Sequence, residues 1–286
     1  MSEPRLSVVV PAFNEAESLP ELHREIVAAL DASGAPWELI VVDDGSRDGT
    51  SEALEKLAAA DPRVRGVSFR RNFGKSAALA AGFRLARGEY VATLDADLQD
   101  DPAEIANLMQ AMQGGLDLVS GWKQSRQDPM SKTLPSKLFN AVTSSVSGVR
   151  LHDFNCGLKL YRREVTDSLE VYGERHRFLP ALAHWRGFRV GEIPVRHRAR
   201  RFGKSKFGAS RFVNGFLDLM SAAFISTSAL KPLHVFGRVG LAFLLAGAAL
   251  GAWFTAQWIM GEPLRVRPLM LQIGRASCRE RVCYVV

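Results

Sequence analysis

YVATLDADLQDD, residues 90–101, is an apolar run that ends abruptly in four carboxylates. Its first residues are typical of a buried strand, so the four Asp residues should follow the strand's carboxyl end. Crowded carboxylates repel one another unless a cation lies among them. Hard oxygen ligands suit Mg²⁺ or Mn²⁺, which usually keep several waters and bridge to phosphate oxygens of a substrate. The stretch therefore predicts a strand leading into a site for a divalent metal and a diphosphate.

Residues 94–101, LDADLQDD, are called the acidic loop below. An alternative interpretation is a solvated acidic turn that caps a helix starting at Pro102. That role suits Asp100 or Asp101, whereas Asp95 and Asp97 are better explained as ligands, with Gln99 between the two pairs.

Strand and helix patterns alternate on the amino-terminal side of the acidic loop. The runs LSVVVPAF, WELIVVDD and VRGVSF predict strands, and helices are expected after Ser18, after Thr50 and from about Lys75. Ser18 and Glu21 have the spacing of a capping box, and Leu22, Ile26 and Leu30 mark one helix face. Continuously apolar runs are typical of parallel strands covered on both faces. We predict a mixed, mainly parallel α/β sheet of about seven strands.

Two further polar turns follow predicted strands, PAFNE at 11–15 and VVDDGSRDGT at 41–50. In open α/β sheets, ligands bind beyond the carboxyl ends of the strands. Acidic residues in these turns can accept hydrogen bonds from a base or from ribose hydroxyls. Each turn alone is ordinary, and Gly45 and Gly49 could merely shape a loop, but together the turns favour a nucleotide site.

Residues 196–206, RHRARRFGKSK, form a basic segment in a chain of net charge +7. Its Arg200, Arg201, Lys204 and Lys206 can neutralise a diphosphate or a lipid phosphate through charge-assisted hydrogen bonds. A general membrane-surface patch is an alternative that is compatible with this role. A nucleic-acid patch is not favoured, because no nucleic-acid-binding motif accompanies the segment.

HDFNCGLKLYRRE, residues 152–164, places Asp153, Asn155 and Cys156 before another apolar strand. Asp153 is a candidate acid or base beside the acceptor, and an Asx turn is an equally good interpretation. Cys156 is expected to be a small buried residue. The histidines lack the spacing of a zinc site.

The carboxyl-terminal part has the pattern of a membrane anchor. Phe207, Phe212, Phe216, Leu219, Met220 and Phe224 could gather on one side of a helix that lies against the membrane. Val239 to Ile259 is a 21-residue stretch without a charge and predicts a transmembrane helix. Trp253 and Trp258 near its far end fit an interfacial aromatic belt, and Lys231 and Arg238 flank its near end. A buried core helix is the alternative. The amino terminus has no signal-peptide pattern, and the sparse cysteines favour a reducing compartment.

With these residues in place, the chain resembles the inverting GT-A glycosyltransferases of family 2, of the dolichyl-phosphate mannosyltransferase and undecaprenyl-phosphate glycosyltransferase type. The motifs PAFNE, VVDDGSRDGT, RNFGKSAAL, LDADLQD and RRFGKSKFG occur in the family's order, and the resemblance covers residues 5 to 260. It implies a GT-A (Rossmann-like) fold.

The resemblance also implies roles for individual residues. Asp97 would be catalytic, and Asp95, Asp97 and Gln99 would hold Mg²⁺ or Mn²⁺. Asp153, a candidate from its position in the sequence, is the second catalytic residue that we predict. The nucleotide sugar would contact Pro11, Phe13, Glu15, Val42, Asp44, Lys75, Asp95, Ala96 and Lys123. Phosphate and lipid-phosphate groups would contact Arg200, Arg201, Ser205 and Lys206. Lys123 stands where many relatives have Arg, which exchanges a bidentate fork for a point charge.

These observations predict four regions: a GT-A catalytic domain over 1–205, amphipathic interfacial helices over 206–232, a transmembrane helix over 235–260 and a non-native, Arg-rich tail over 272–286. The expected reaction transfers a hexose from GDP-mannose or UDP-glucose to a polyprenyl phosphate, with inversion, at the cytoplasmic face of the cell membrane. A processive polysaccharide synthase is an alternative, but the sequence has no QxxRW motif. A non-catalytic membrane protein on a relic nucleotide-sugar fold is the other.

Overall fold

The computed structural model describes residues 3–124, 140–198, 217–221, 223–224 and 232–260. The chain divides into two compact units, Met1–Thr227 and Ser228–Val286. The first unit contains the sheet, and the described part of the second unit, residues 232–260, contains one long helix. The loop over 125–139, most of the basic segment and the predicted tail lie outside the described residues.

Helices and strands alternate as the sequence predicts. In chain order they are β1 (Leu6–Ala12), α1 (Leu19–Asp31), β2 (Trp37–Asp43), α2 (Thr50–Ala60), β3 (Val64–Ser68), α3 (Lys75–Leu85), β4 (Tyr90–Thr93), α4 (Glu104–Gln113), β5 (Leu118–Trp122), α5 (residues 140–147), β6 (Lys159–Arg162), α6 (Arg163–Ser168), a short 3₁₀ helix (Arg175–Phe178), α7 (Leu179–Trp185), β7 (Val190–Pro194), α8 (residues 217–221 and 223–224) and α9 (Pro232–Ile259).

The seven strands form one sheet in the order β3-β2-β1-β4-β6-β5-β7. Every neighbouring pair is parallel except those of β6, which runs antiparallel to β4 and to β5. This confirms the predicted mixed, mainly parallel α/β fold. Because β6 is reversed, its amino end lies at the same edge as the carboxyl ends of the other six strands. That edge, called the carboxyl edge below, collects the polar turns.

Helices cover both faces of the sheet, which explains the continuously apolar strands. Val8 and Val10 pack into one hydrophobic cluster, whereas Val9 packs into the other. Successive side chains of a strand point to opposite faces, so a strand buried on both faces needs no polar residue. Leu22 and Ile26 of α1 are buried at 1% and 0% exposure, which confirms the predicted apolar face.

The predicted capping box at Ser18 is wrong. Ser18 has helical backbone angles, φ −82° and ψ −30°, and its side chain makes no capping hydrogen bond. Its hydroxyl instead donates to a Glu15 carboxylate oxygen over 2.7 Å. The cause is local, because a residue already in the helical conformation does not present its hydroxyl to the amide three positions further on.

Two apolar helices follow the sheet in sequence. In α8, Leu219 is fully buried in the core while Met220 is 46% exposed, so these two residues do not share one side as the sequence predicted. Adjacent helical residues point about 100° apart, which separates them. In α9, residues Phe236–Ile259 are long and apolar enough to cross a membrane, and none of this 24-residue span is buried. The alternative of a buried core helix is therefore not what the structure shows.

Candidate active site

The turn that follows β1 is joined to the turn that follows β2. The Asn14 amide donates to Ser46 Oγ over 2.8 Å, and the Arg47 amide donates to Asn14 Oδ1 over 3.0 Å. The Glu15 amide donates to Thr50 Oγ1 over 2.9 Å. Asn14 has a φ of 58°, a left-handed conformation that Asn tolerates better than most residues. The two predicted nucleotide turns are thus hydrogen-bonded to each other and lie side by side at the carboxyl edge.

The predicted nucleotide residues on β1 and β2 differ in what they can offer a ligand. Pro11 and Val42 are register partners of the two strands. Val42 is fully buried in the core, so only its main chain can reach a ligand, whereas Phe13 exposes 38% of its surface. The roles of these residues stay predictions.

Asp44 holds the amino end of α3. Its two carboxylate oxygens accept hydrogen bonds from the amides of Phe73 and Gly74, over 2.7 and 2.8 Å. Free amides at a helix start are satisfied well by a carboxylate. Asp44 is only 4% exposed, so its visible role is to position α3, and its predicted nucleotide contact stays a prediction.

Lys75 and Ser76 begin α3 and bring it into the site. Lys75 Nζ forms a short ion pair with an oxygen of Asp95 at the start of the acidic loop. Ser76 Oγ lies 3.0 Å from His176 Nδ1 and accepts a hydrogen bond from the His176 amide over 3.1 Å. The sequence singled out Lys75 but not His176, because a contact between residues 100 positions apart leaves no local pattern.

Asp95 and Asp100 approach the same point of the backbone. A Cβ atom built on Gly157 would lie 2.7 Å from Asp95 Oδ2 and 2.8 Å from Asp100 Oδ2. Only glycine fits there without moving a carboxylate. The sequence analysis missed Gly157, although its place in FNCGLK, just before β6, was the available signal.

Asp100 is the centre of a buried charge cluster. It is 1% exposed, and its Oδ1 lies 3.0 Å from Lys123 Nζ and 3.8 Å from His197 Nδ1. Burial alone would raise the pKa of Asp100, but the Lys123 ammonium and the neighbouring His197 ring outweigh it and hold that pKa well below its usual range. Burial would lower the pKa of Lys123, and the Asp100 carboxylate reverses this and raises it.

Of the two candidates for capping α4, Asp100 is instead paired with Lys123 through its carboxylate. Asp101 fits that interpretation better, since its Oδ1 accepts a hydrogen bond from the Ala103 amide over 3.1 Å, just before α4 begins. Lys123 follows the carboxyl end of β5, and Asp100 is its ion-pair partner. Its contact with the nucleotide sugar stays a prediction.

The centre of the acidic loop is compact and strained. Ala96 and Asp97 are 4% and 8% exposed. The backbone amide of Gln99 donates a hydrogen bond to Asp97 Oδ1 over 3.3 Å. Leu98 has a φ of 60° and is 1% exposed. A leucine in the left-handed region costs about 1 to 3 kcal/mol and persists only where its surroundings hold it.

The donors of the acidic loop fit a divalent metal that a substrate helps to bind. Among the described residues, no group of three His, Cys, Asp or Glu side chains forms a ligand cluster. A cation here would therefore rely on the carboxylates of Asp97 and Asp95 and on the side-chain Oε1 of Gln99, with diphosphate and water completing its shell. Mg²⁺ at nucleotide sites is commonly held by one or two carboxylates plus phosphate oxygens, so the donor set is suitable.

The segment before β6 also lies at the carboxyl edge. Asp153 is 1% exposed, and its Oδ1 accepts a hydrogen bond from the Asn155 amide over 3.0 Å, which confirms the Asx turn. Cys156 is buried as predicted, and burial raises the pKa of its thiol to about 12. Lys159, which the sequence analysis missed, is 3% exposed and donates to the Cys156 carbonyl. Burial lowers the pKa of Lys159.

The predicted phosphate-binding residues Arg200, Arg201, Ser205 and Lys206 lie outside the described residues. Of the basic segment, residues 196–198 are described, and they follow β7 to the carboxyl edge. Their backbone reaches the acidic loop, where Asp100 and His197 form an isolated antiparallel bridge.

Known sugar transferases resemble this chain over most of its length. A dodecaprenyl-phosphate galacturonate synthase from Rhizobium johnstonii is 39% identical over 275 residues, covering 94% of this chain and 81% of the relative. An undecaprenyl-phosphate 4-deoxy-4-formamido-L-arabinose transferase from Salmonella paratyphi A is 39% identical over 236 residues, covering 82% and 72%.

Solved structures show the same fold at lower identity. Glucosyl-3-phosphoglycerate synthase from Mycobacterium tuberculosis, with Mn²⁺, uridine-diphosphate-glucose and phosphoglyceric acid, has a TM-score of 0.61 and 20% identity, covering 78% of this chain and 80% of that one. A mannosyltransferase from Pyrobaculum calidifontis, with GDP-Man and Mn²⁺, has a TM-score of 0.53 and 23% identity, covering 92% and 84%.

The family profile described as glycosyl transferase family 2 matches residues 7–169, from β1 to the end of α6. This range contains the acidic loop, the two nucleotide turns and the segment before β6. Together with the 39% identity to full-length relatives, the match shows that the chain belongs to glycosyl transferase family 2, with a GT-A fold.

Proposed function

We propose that this protein transfers a sugar from a nucleoside diphosphate to a polyprenyl phosphate, with inversion and with a divalent metal. The observation that carries the proposal is the meeting of the acidic loop with Lys75, Lys123 and Gly157 at the carboxyl edge. It is supported by the two relatives named for transfer to dodecaprenyl and undecaprenyl phosphate.

The donor half of the reaction uses the acidic loop. When bound, Mg²⁺ or Mn²⁺ would stabilise the negative charge that develops on the leaving nucleoside diphosphate. Asp97 and Gln99 would hold it, with help from Asp95. Lys75, paired with Asp95, supplies a positive charge on the α3 side, and the turns after β1 and β2 would orient the base and ribose.

The acceptor half needs little base catalysis. A lipid phosphate oxygen is already anionic at neutral pH, so it can attack the anomeric carbon once it is held in line with the leaving group. Asp153 would lie beside it and act mainly by position and charge. We assign the neutralisation of the lipid phosphate to Arg200, Arg201, Ser205 and Lys206, as the family resemblance implies.

The donor is proposed to be a nucleotide sugar of the UDP-glucose or GDP-mannose class. The names of the relatives add galacturonate and 4-deoxy-4-formamido-L-arabinose to the sugars worth testing. We propose that α9 anchors the protein in the cell membrane and that the catalytic unit faces the cytoplasm, where nucleotide sugars are made.

The direct test incubates the detergent-solubilised protein with undecaprenyl phosphate, Mg²⁺ or Mn²⁺, and UDP-glucose, UDP-galacturonate or GDP-mannose. We expect one donor to give a lipid-linked sugar together with an equal amount of nucleoside diphosphate, only with metal present. NMR of the anomeric proton would establish inversion. Nucleoside diphosphate released without lipid-linked product, or transfer in excess EDTA, would contradict the proposal.

A further inference from the structure

Residues 196–198 run along the acidic loop and bond to its backbone. The Arg198 amide donates to the Gln99 carbonyl over 2.8 Å, and His197 pairs with Asp100 in an antiparallel bridge. The described start of the basic segment is therefore attached to the loop residues that follow Asp97.

The Arg198 side chain adds a second attachment, and this one reaches a helix. Its Nη1 lies 2.8 Å from both carboxylate oxygens of Glu25 on α1, and its Nη2 lies 2.8 Å from Asp101 Oδ2. A planar guanidinium can bridge two carboxylates in fixed geometry, which an ammonium cannot do. Arg198 thus links the carboxyl end of the acidic loop to a helix of the core.

The acidic loop contains a strained residue, and such strain persists only where the surrounding structure holds the backbone in place. Leu98, in the middle of the loop, has a left-handed backbone conformation, and the backbone amide of Gln99 donates a hydrogen bond to the Asp97 carboxylate. A shift of the Gln99 backbone would therefore move both proposed metal ligands at once. Asp97 and Gln99 are separated only by the strained residue.

We propose that Arg198 is a positioning residue that braces the acidic loop against α1, so that Asp97 and Gln99 are held ready for the metal and the diphosphate. This inference rests on the proposed function, because it takes the acidic loop to be the metal and nucleotide site. Arg198 itself touches neither ligand in this assignment.

The test compares Arg198→Met with Arg196→Met. Arg196 lies two residues away in the same segment, its side chain is 85% exposed, and its nearest carboxylate oxygen, on Glu104, is 3.7 Å distant. Both variants remove one positive charge, and only the first removes the brace. The measurement is Mn²⁺ affinity in the presence of UDP or GDP, followed by the EPR signal of free Mn²⁺.

We expect Arg198→Met to weaken Mn²⁺ binding about tenfold, as is usual for residues that support metal ligands, and Arg196→Met to change it less than about twofold. Arg198→Lys should recover only part of the loss, because Lys restores the charge but not the fork. Equal losses in the two Met variants, or full recovery with Lys, would reduce the effect to general electrostatics and overturn the proposal.

Glu25→Gln supplies a second, independent measurement if Arg198→Met folds poorly. Glu25 lies on α1 and has no place in the proposed chemistry, yet its loss should also weaken Mn²⁺ binding. Where Arg198→Met folds normally, the double variant should bind Mn²⁺ no more weakly than Arg198→Met alone, because both changes break the same brace. Additive losses would contradict a shared brace.

The two proposals fail in different ways. If the wild-type protein transfers sugar and binds Mn²⁺ with nucleotide, but Arg198→Met binds Mn²⁺ equally well, the positioning role is wrong and the function stands. If the wild-type protein binds no Mn²⁺ with either nucleotide, the metal site and the positioning role are both wrong.

Discussion

At Gly157, the lack of a side chain allows the carboxylates of Asp95 and Asp100 to approach the same point of the backbone. Gly157→Ala would place a Cβ 2.6 Å from Asp95 Cγ, which neither group can accept without moving. We expect kcat/KM for sugar transfer to fall about a hundredfold, as for displacements of about 1 Å at reacting groups. Gly114→Ala, whose new Cβ would meet only the Ala111 carbonyl at 3.2 Å, is the matched control. Full activity of Gly157→Ala would show that the spacing of the two carboxylates is unimportant.

Asp97 is the residue on which the metal assignment depends most. Asp97→Ala should lower sugar transfer at least about a hundredfold while leaving the melting temperature nearly unchanged, because it removes a ligand and little packing. Asp117→Ala serves as the control, since Asp117 pairs with Arg162 and Arg189 at the opposite end of β5. The assay is lipid-linked sugar formed per minute at saturating donor. Retained turnover in Asp97→Ala would refute the assignment.

Among the strands, β2 carries different chemistry at its two ends. Its carboxyl end leads to Asp44 and the nucleotide turn, whereas its amino end buries Glu38 with 3% side-chain exposure. Glu38 accepts from Ser7 Oγ on β1 over 2.8 Å and pairs with Arg87 Nη2 over 2.7 Å. This cluster ties β1 and β2 to the end of α3, and it has no part in the proposed reaction.

The Glu38 cluster predicts a pH dependence of stability. Burial alone would raise the pKa of Glu38, but hydrogen bonds from Arg87 and Ser7 outweigh it and lower that pKa below 4.5, its ordinary value. A lowered folded-state pKa stabilises the fold above the ordinary value, and the contribution is lost as the pH falls through the folded-state pKa. Glu38→Gln should cost about 2 kcal/mol at pH 7, and this difference should shrink as the pH falls below about 4.5.

The measurement is urea unfolding of both proteins in detergent, at several pH values between 7 and 3.5, followed by tryptophan fluorescence. Sugar transfer by Glu38→Gln at pH 7 should stay close to the wild-type rate, because the cluster lies at the opposite edge of the sheet. A stability difference independent of pH would contradict the charge-based explanation.

On the scale of the whole molecule, α9 takes no part in the proposed sugar transfer, and its long apolar span is instead that of a membrane anchor. Leu245 lies near the middle of the apolar span and is 59% exposed, and Ile259 ends the span at 73% exposure. Leu245→Arg should cost about 3 kcal/mol of membrane insertion, whereas Ile259→Arg should cost much less, because a terminal side chain can reach the interface. The measurement is the fraction that remains in membranes after carbonate extraction. Equal retention of the two variants would argue against a spanning helix.

The order of strands and helices could be predicted from the sequence, because the period of apolar residues and the turn residues between them are local properties. The acidic loop and the two nucleotide turns were also readable, since each follows a recognisable strand. The strand order was not readable in detail, and the insertion of reversed β6 between β4 and β5 brings Gly157 and Lys159 beside the acidic loop.

The sequence by itself determined the α/β pattern, the acidic residues at a strand end and the apolar span, because each is encoded in one continuous stretch of the chain. Only the tertiary structure decided which charges meet: Asp100 with Lys123 and His197, and Arg198 with Glu25. These pairs join residues up to 173 positions apart. Their partners are set by strand order and burial, and a charged residue looks the same in the sequence whether it meets water or a buried counter-ion.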